Sequence, residues 1–338
     1  MKSILNLALS LAAALLFGTA PAMSADAPAQ PAAQVQAKGA HNQAQLWRDA
    51  RSGEAGVTTV RGPEAGVLIQ SGGETWRELR NGPITLYGGI ALCVVAVAIG
   101  LFYLRRGMIR LSGPPTGRHI QRFNTLERMA HWSMAVSFVI LAVTGLVLLF
   151  GKHVLLPVFG YTLFSWLAVI GKNLHNFIGP LFLLSIVVSF FIFVKDNFWK
   201  KEDAEWIAKA GGLLSGEHVP SWRFNFGEKF MFWFGVVFLG LTVGISGLIM
   251  DFPNFGQVRD TMQTVNIIHS VGALLFVCLM LGHIYIGTIG MEGAYDSMRY
   301  GHVDEAWAKE HHELWYNQEK LKPADASKTE PGAAAAHS

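Results

Sequence analysis

Long apolar runs separated by short polar connections dominate the chain. Five runs stand out: Ile84 to Leu104, Met129 to Phe150, Leu174 to Val194, Phe230 to Met250 and Thr261 to Gly290. Each is near or above the ~20 residues a helix needs to cross ~30 Å of hydrocarbon at ~1.5 Å per residue. The pattern predicts an all-α integral membrane protein with five transmembrane helices. Within the fourth run, "GLTVGISG" sets Gly240 and Gly244 four residues apart, a spacing that lets two helices approach closely.

The flanking sequence divides the rest of the chain. Residues 1–25 open with one Lys, a short apolar core and small residues, which reads as a secretory signal peptide. Residues 26–80, rich in Ala, Gln, Gly and Pro, read as a loosely ordered exported segment, with "ETWRELRNGPI" a short helix before the membrane. Residues 81–106 hold the first spanning helix, 120–295 the other four, and 296–338 a polar tail in which His311 and His312 read as solvated. Basic residues cluster at 105–128 and 195–229, while the opposite loops carry only Lys152, Lys172 and Arg259. By the positive-inside rule the N-terminus is outside and the C-terminus cytoplasmic, in a bacterial inner membrane. The signal peptide gives the same orientation independently.

Composition narrows the function. Of 338 residues, 51% are hydrophobic and 15% charged, and the net charge of +3 gives no reason to expect nucleic acid as a partner. Cys93 and Cys278 stand apart in apolar runs and read as buried, inert thiols; they form no CxxC or CxxCH motif.

Four of the twelve histidines lie inside apolar runs: His131, His175, His269 and His283. An ionisable side chain at membrane depth is costly and points to function. His269 and His283 are fourteen residues apart, almost four turns, so they share a helix face about 21 Å apart in depth. The orientation then sets His175 level with His269 near the outer face, and His131 level with His283 near the inner one. Zinc or copper would ask for more ligands than two imidazoles. A haem iron needs one ligand on each side of the ring, and with both filled it carries electrons without an open site. Two haems stacked across a membrane imply a donor at one face and a quinone at the other. Gly145, Gly179 and Gly272 lie near these levels, where they relieve crowding against a porphyrin or pack helices. For quinone the candidate is "SWRFNFGEKFMFW", level with the inner pair. There Asn225 can donate to a carbonyl, Glu228 can pass protons and Lys229 can act electrostatically; the same residues also fit a helix cap.

From about Arg122 to Tyr316 the chain resembles the cytochrome b (gamma) membrane subunit of respiratory formate dehydrogenases. "RFNTLERMAHW", "LHNFIGPLF", "FNFGEKFMFW", "NIIHSVGALLFVCLMLGHIYIG" and "EAWAKEHHELWY" carry the resemblance. It implies that the last four helices form a dihaem cytochrome b bundle. It implies two haem b groups, one on His175 and His269 and one on His131 and His283, with Asn225 and Gly227 in the quinone loop. Glu228 stands where the family form carries Gln. The implied partners are a catalytic subunit with molybdenum or tungsten pterin and an Fe–S electron-transfer subunit. The signal peptide and the first helix depart from the family's four-helix form. A hydrogenase or thiosulfate-reductase type cytochrome b shares the dihaem logic, and a haem-free membrane anchor is the alternative of another class.

Overall fold

The structure, a computed structural model, describes residues 48, 51–52, 71–212 and 218–321. The expected signal peptide, most of the exported segment and the end of the tail lie outside the described residues. The chain divides into two units, Met1–Thr75 and Trp76–Ser338, and the fold below is that of the second.

Among the described residues, five helices are long and apolar enough to cross a membrane. They are α1 (Thr85–Arg106), α2 (Thr125–Val154), α3 (Leu156–Phe193), α5 (Phe226–Asp251) and α6 (Arg259–Tyr285). A short helix, α4 (Glu202–Ala208), precedes α5, and α7 (Ala294–Arg299), α8 (Glu305–His311) and α9 (Glu313–Lys320) follow α6. Large apolar side chains such as Leu86, Val97, Leu104, Val136, Phe177 and Phe191 remain exposed, as expected where the surrounding solvent is lipid. The chain is a multi-pass helical membrane protein.

Helices α2, α3 and α5 each begin four or more residues earlier than hydropathy suggests. Asn124 caps α2 through a reciprocal box with Glu127, so the polar first turn "TLER" belongs to the helix although it is not apolar. The third run, expected from Leu174, is part of a helix beginning at Leu156. Its polar stretch Gly171–Asn173 ends an apolar run but not a hydrogen-bonded helix. The backbone breaks instead at Gly160, whose φ of 72° suits glycine alone. His175 therefore lies well inside α3 and not near its start. The two thiols are also less enclosed than expected: Cys93 is exposed and Cys278 half-buried, because their helices face outward at those positions.

α2–α3 and α5–α6 are two helical hairpins. Gly240 and Gly244 lie against Ile186 and Leu183, where a Cβ would come within 2.9 and 2.8 Å of those side chains, so the small pair does bring α5 close to α3. Gly272 likewise packs against Val243 and Thr242 on α5. The core sits at mid-height, built from Phe182 and Ile186 on α3, Val236, Leu239 and Val243 on α5, and Phe276 on α6. Phe138 of α2 completes it, with its ring 4.9 Å from that of Phe276 and 6.3 Å from that of Phe182. α1 lies outside this bundle against α2 and α6: Arg80 donates to the Leu148 carbonyl, Trp76 Nε1 donates to Asn266 Oδ1 at 3.0 Å, and Gly88 abuts Leu274.

At the end opposite the hairpin turns the chain folds back on itself. β1 (His119–Gln121) pairs antiparallel with β2 (His302–Asp304), Ile120 opposite Val303. Arg128 and Trp132 donate to the Met298 carbonyl, tying α2 to α7. Val303, Trp307, Ala308 and Trp315 form a small second core here. The tail is thus a folded cap. His312, expected in solvent, is 1% exposed, because the Trp307 and Trp315 rings flank it and the Trp222 carbonyl engages its Nδ1.

Candidate functional site

The four membrane histidines come together in two pairs, one nearer the hairpin turns and one nearer the tail. His175 of α3 and His269 of α6 have ring centres 6.1 Å apart, with planes at 72°. His131 of α2 and His283 of α6 have ring centres 6.4 Å apart, at 54°. A direct N–H···N hydrogen bond at ~2.9 Å would draw the rings about 1 Å closer. An iron held by a bond of about 2 Å on each side sets two imidazole centres roughly 6 Å apart. Each ring-centre separation matches two imidazoles sharing one metal ion. Among the described residues no three of His, Cys, Asp and Glu gather around a bare ion. The donor set fits haem iron.

The layers are evenly spaced. Phe138, Phe182 and Phe276 each lie seven residues beyond a histidine of their own helix (His131, His175 and His269), about two turns. They form an aromatic layer between the two histidine layers.

The hairpin-end pair is held in kind by both hairpins. Thr144 Oγ1 lies 2.8 Å from His175 Nδ1, and Ser246 Oγ lies 3.1 Å from His269 Nδ1. Each hydroxyl donates its own proton to the carbonyl four residues back, Ile140 or Thr242, so its lone pair is left to accept from the ring. The next residue is glycine in both cases. A Cβ at Gly145 would meet His175 Cε1 at 3.3 Å, and one at Gly247 would meet His269 Cε1 at 3.2 Å. Gly145, expected near this level, thus makes room for the ligand ring itself. Gly179 has nothing close but Asp251, 4.0 Å from where its Cβ would stand. At the tail-end pair, His131 Nδ1 is buried and has no hydrogen-bond partner among the described residues.

The expected quinone loop is fully engaged in local structure. Asn225 Oδ1 accepts from Glu228 N at 3.0 Å and Glu228 Oε2 accepts from Asn225 N at 2.9 Å, so the cap reading of this motif is realised. Gly227 lies under the Trp206 ring, which would stand 3.0 Å from a Cβ there. Lys229, 3% exposed, donates to both Asp203 oxygens at 2.8 and 2.7 Å. It is half of a buried ion pair, not a basic surface residue.

Sequence reasoning missed a repeat that organises this end. "RFNTLERMAHW" and "RFNFGEKFMFW" share Arg, Phe, Asn, Glu and Trp at matching positions. The two copies lock reciprocally. Arg122 donates to Glu228 and to the Arg223 carbonyl, and Arg223 donates to Glu127 and to the Arg122 carbonyl, all at 2.7–2.8 Å. The swap describes a pseudo-two-fold relation between the hairpins. Thr144 follows Arg122 by 22 residues and Ser246 follows Arg223 by 23; the π stretch Met231–Gly240 in α5 takes up the extra residue. Under this relation His175 matches His269 and Phe182 matches Phe276. The tail-end pair breaks it, since His131 matches Phe232 and His283 matches Ser189, whose hydroxyl is buried without a partner.

A helical bundle with facing imidazole pairs on separate helices defines a membrane cytochrome b. The chain belongs to the prokaryotic cytochrome b561 family, whose model matches residues 122–301, and haem b is accordingly its cofactor. It is 30% identical over 208 residues to the formate dehydrogenase cytochrome b556(fdo) subunit of Escherichia coli (strain K12), covering 59% of this chain and 92% of that one. The nitrate-inducible cytochrome b556(Fdn) subunit of the same organism is 28% identical over 221 residues, 62% of this chain and 94% of that one. The formate dehydrogenase cytochrome b556 subunit of Haemophilus influenzae is 26% identical over 213 residues, with coverage of 60% and 84%. The family match begins after α1.

Proposed function

We propose that this chain is the membrane cytochrome b subunit of a formate dehydrogenase and transfers electrons from an Fe–S partner subunit to quinone. The observation that carries this reading is the iron-sized gap in each of two imidazole pairs. Haem b held between such pairs would supply a one-electron couple. His175 and His269 hold one group, His131 and His283 the other. The imidazoles present neutral nitrogens across an apolar bundle, and the aromatic layer of Phe138, Phe182 and Phe276 keeps water from the space between them.

The hairpin end faces outward and the tail end faces the cytoplasm, in keeping with the basic residues near the tail end. The Fe–S subunit, and through it a molybdenum or tungsten pterin subunit that oxidises formate, approaches the outer pair. Quinone is reduced at the rim of the inner pair, where Asn225, Gly227 and Glu228 begin α5. The Glu228 carboxylate, held by Arg122, supplies fixed charge beside that rim and lies within electrostatic reach of His283. Its place at the helix start is compatible with both capping and proton handling.

Substitution of each pair separately is the test. In the purified protein, His175→Ala and His283→Ala should each remove one of two haems, leaving the other reducible by formate when partner subunits co-purify. Retention of both haems in either variant would refute the pairing, and haem that formate cannot reduce would refute the partner.

A further inference from the structure

We propose that Thr144 and Ser246 are positioning residues for the hairpin-end haem, fixing its two axial imidazoles and lowering its reduction potential. The inference rests on the reading of His175 and His269 as axial ligands and goes beyond it. An imidazole that gives Nε2 to iron carries its proton on Nδ1. That proton must be donated or left buried and unpaired. At the hairpin end two acceptors wait at 2.8 and 3.1 Å, each with its own proton already committed to a helix carbonyl. The polarity of both chains is therefore fixed: ring N–H to hydroxyl, hydroxyl to backbone. An acceptor at Nδ1 makes the ring a stronger electron donor, which favours the oxidised metal and lowers the potential.

Three further observations give the arrangement its specificity. Within the helices α1 to α6 the hydroxyl-glycine doublet occurs twice, Thr144–Gly145 on α2 and Ser246–Gly247 on α5, once for each ligand. In both doublets the glycine lets the ring lie flush against the helix that holds it. Thr144 and Ser246 are themselves buried, so water offers no ready replacement. Residue 131, by contrast, has an orphaned Nδ1. The two haems thus differ in the chemistry behind their ligands, within one bundle.

Thr144→Val keeps the side-chain shape and removes the hydroxyl, and with it the acceptor for His175; Thr144→Ser restores it; Ser246→Ala removes the other. Redox titration of the intact protein, with both haems followed by their absorption bands, reads the effect. Expected is a rise for the hairpin-end haem of roughly tenfold in its reduced-to-oxidised ratio at fixed poise, equal to about 59 mV for one electron. The tail-end haem should stay put and Thr144→Ser should match the parent. Loss of the hairpin-end haem in Thr144→Val, with retention in Thr144→Ser, supports the same role. A retained haem with unaltered potential in Thr144→Val and Ser246→Ala overturns it. If the unsubstituted chain shows no haem bands, the underlying ligand assignment has failed instead.

Discussion

The two ends of the bundle solve one problem, holding two imidazoles face to face, by different means. At the hairpin end the support is symmetric and uncharged, a hydroxyl and a glycine from each hairpin. At the tail end it is asymmetric and ionic. His131 and His283 face each other, His131 Nδ1 with no hydrogen-bond partner among the described residues, and nearby lie the crossed Arg122–Glu228 and Arg223–Glu127 pairs, the Lys229–Asp203 pair and the folded tail. The repeat teaches why. It relates the hairpins within each end: at the hairpin end the two imidazoles are counterparts, whereas at the tail end the counterparts of His131 and His283 are Phe232 and Ser189. Charges and a cap gather at the end where the relation fails.

The largest expected effect sharpens this contrast. Lys229 and Asp203 are both almost wholly enclosed, so Lys229→Met leaves an unpaired carboxylate in the interior. Breaking a buried pair in this way costs about 3–5 kcal/mol, whereas replacing both partners costs much less. Thermal unfolding in detergent should show a strong loss for Lys229→Met and recovery in the Lys229→Met/Asp203→Leu double variant. A double variant as unstable as the single one would mean that the ionic pair is not what matters.

Gly145→Ala tests the hairpin end with a smaller effect. The new methyl meets the His175 ring at 3.3 Å, inside ordinary contact, and overpacking of this kind costs about 1–3 kcal/mol. On the proposed ligand pairing the expected signature is local: a shifted or weakened hairpin-end haem spectrum beside an unchanged tail-end haem. Equal disturbance of both haems would show the ends to be coupled through the phenylalanine layer.

Much of this was legible in the sequence, for identifiable reasons. Five apolar runs of sufficient length name five helices because the bilayer imposes that length. The four histidines stood out because polar groups at that depth are costly, and a fixed rise per residue gave their levels. Helix starts were less legible. Asn124 and Glu127 belong to α2 through capping, which hydropathy does not see, and α3 continues through Lys172 because one charge does not break a helix. The hydroxyl-glycine doublets were invisible for another reason: Thr144 and Ser246 look like ordinary helix residues until a neighbouring helix brings an imidazole to them. The RFN repeat was on the page throughout and would have announced the two related hairpins. His312 was misread because adjacent histidines on a short polar helix give no hint of the two tryptophan rings that flank one of them.

That burial predicts a pH response confined to the tail end. Enclosure, with Arg122 adding to it, pulls His312 from 6.5 down to about 3, although Glu228 at 3.8 Å and the Trp222 carbonyl favour the charged form and His311 opposes it. When the tail undocks, His312 returns to an ordinary imidazole near 6.5 and binds a proton more readily than in the docked state. Docking strength is therefore full above about pH 6.5 and declines as pH falls toward 3. At pH 5.5 the loss is about 1 kcal/mol, from 1.36 kcal/mol per pH unit. Protection factors at the amides of α8 and α9, corrected for intrinsic exchange, should fall on acidification while those of α3 stay constant. Substituting His312 by Gln should remove the pH dependence.

The smallest effect separates the inside of the cap from its rim. Arg118 reaches Glu305 at 3.1 Å, yet its side chain is 72% exposed, so water and salt screen the pair. Exposed pairs of this kind are worth roughly 0.2–1 kcal/mol. Arg118→Ala should therefore loosen α8 only slightly, and raising the salt concentration should erase the difference. Arg122, four residues along the same strand segment, is 5% exposed and bonds Glu228 and the Arg223 carbonyl. If tail exchange in Arg118→Ala rose as much as in Arg122→Ala, the cap would be held by its rim, and the ionic interior would lose its place in the comparison of the two ends.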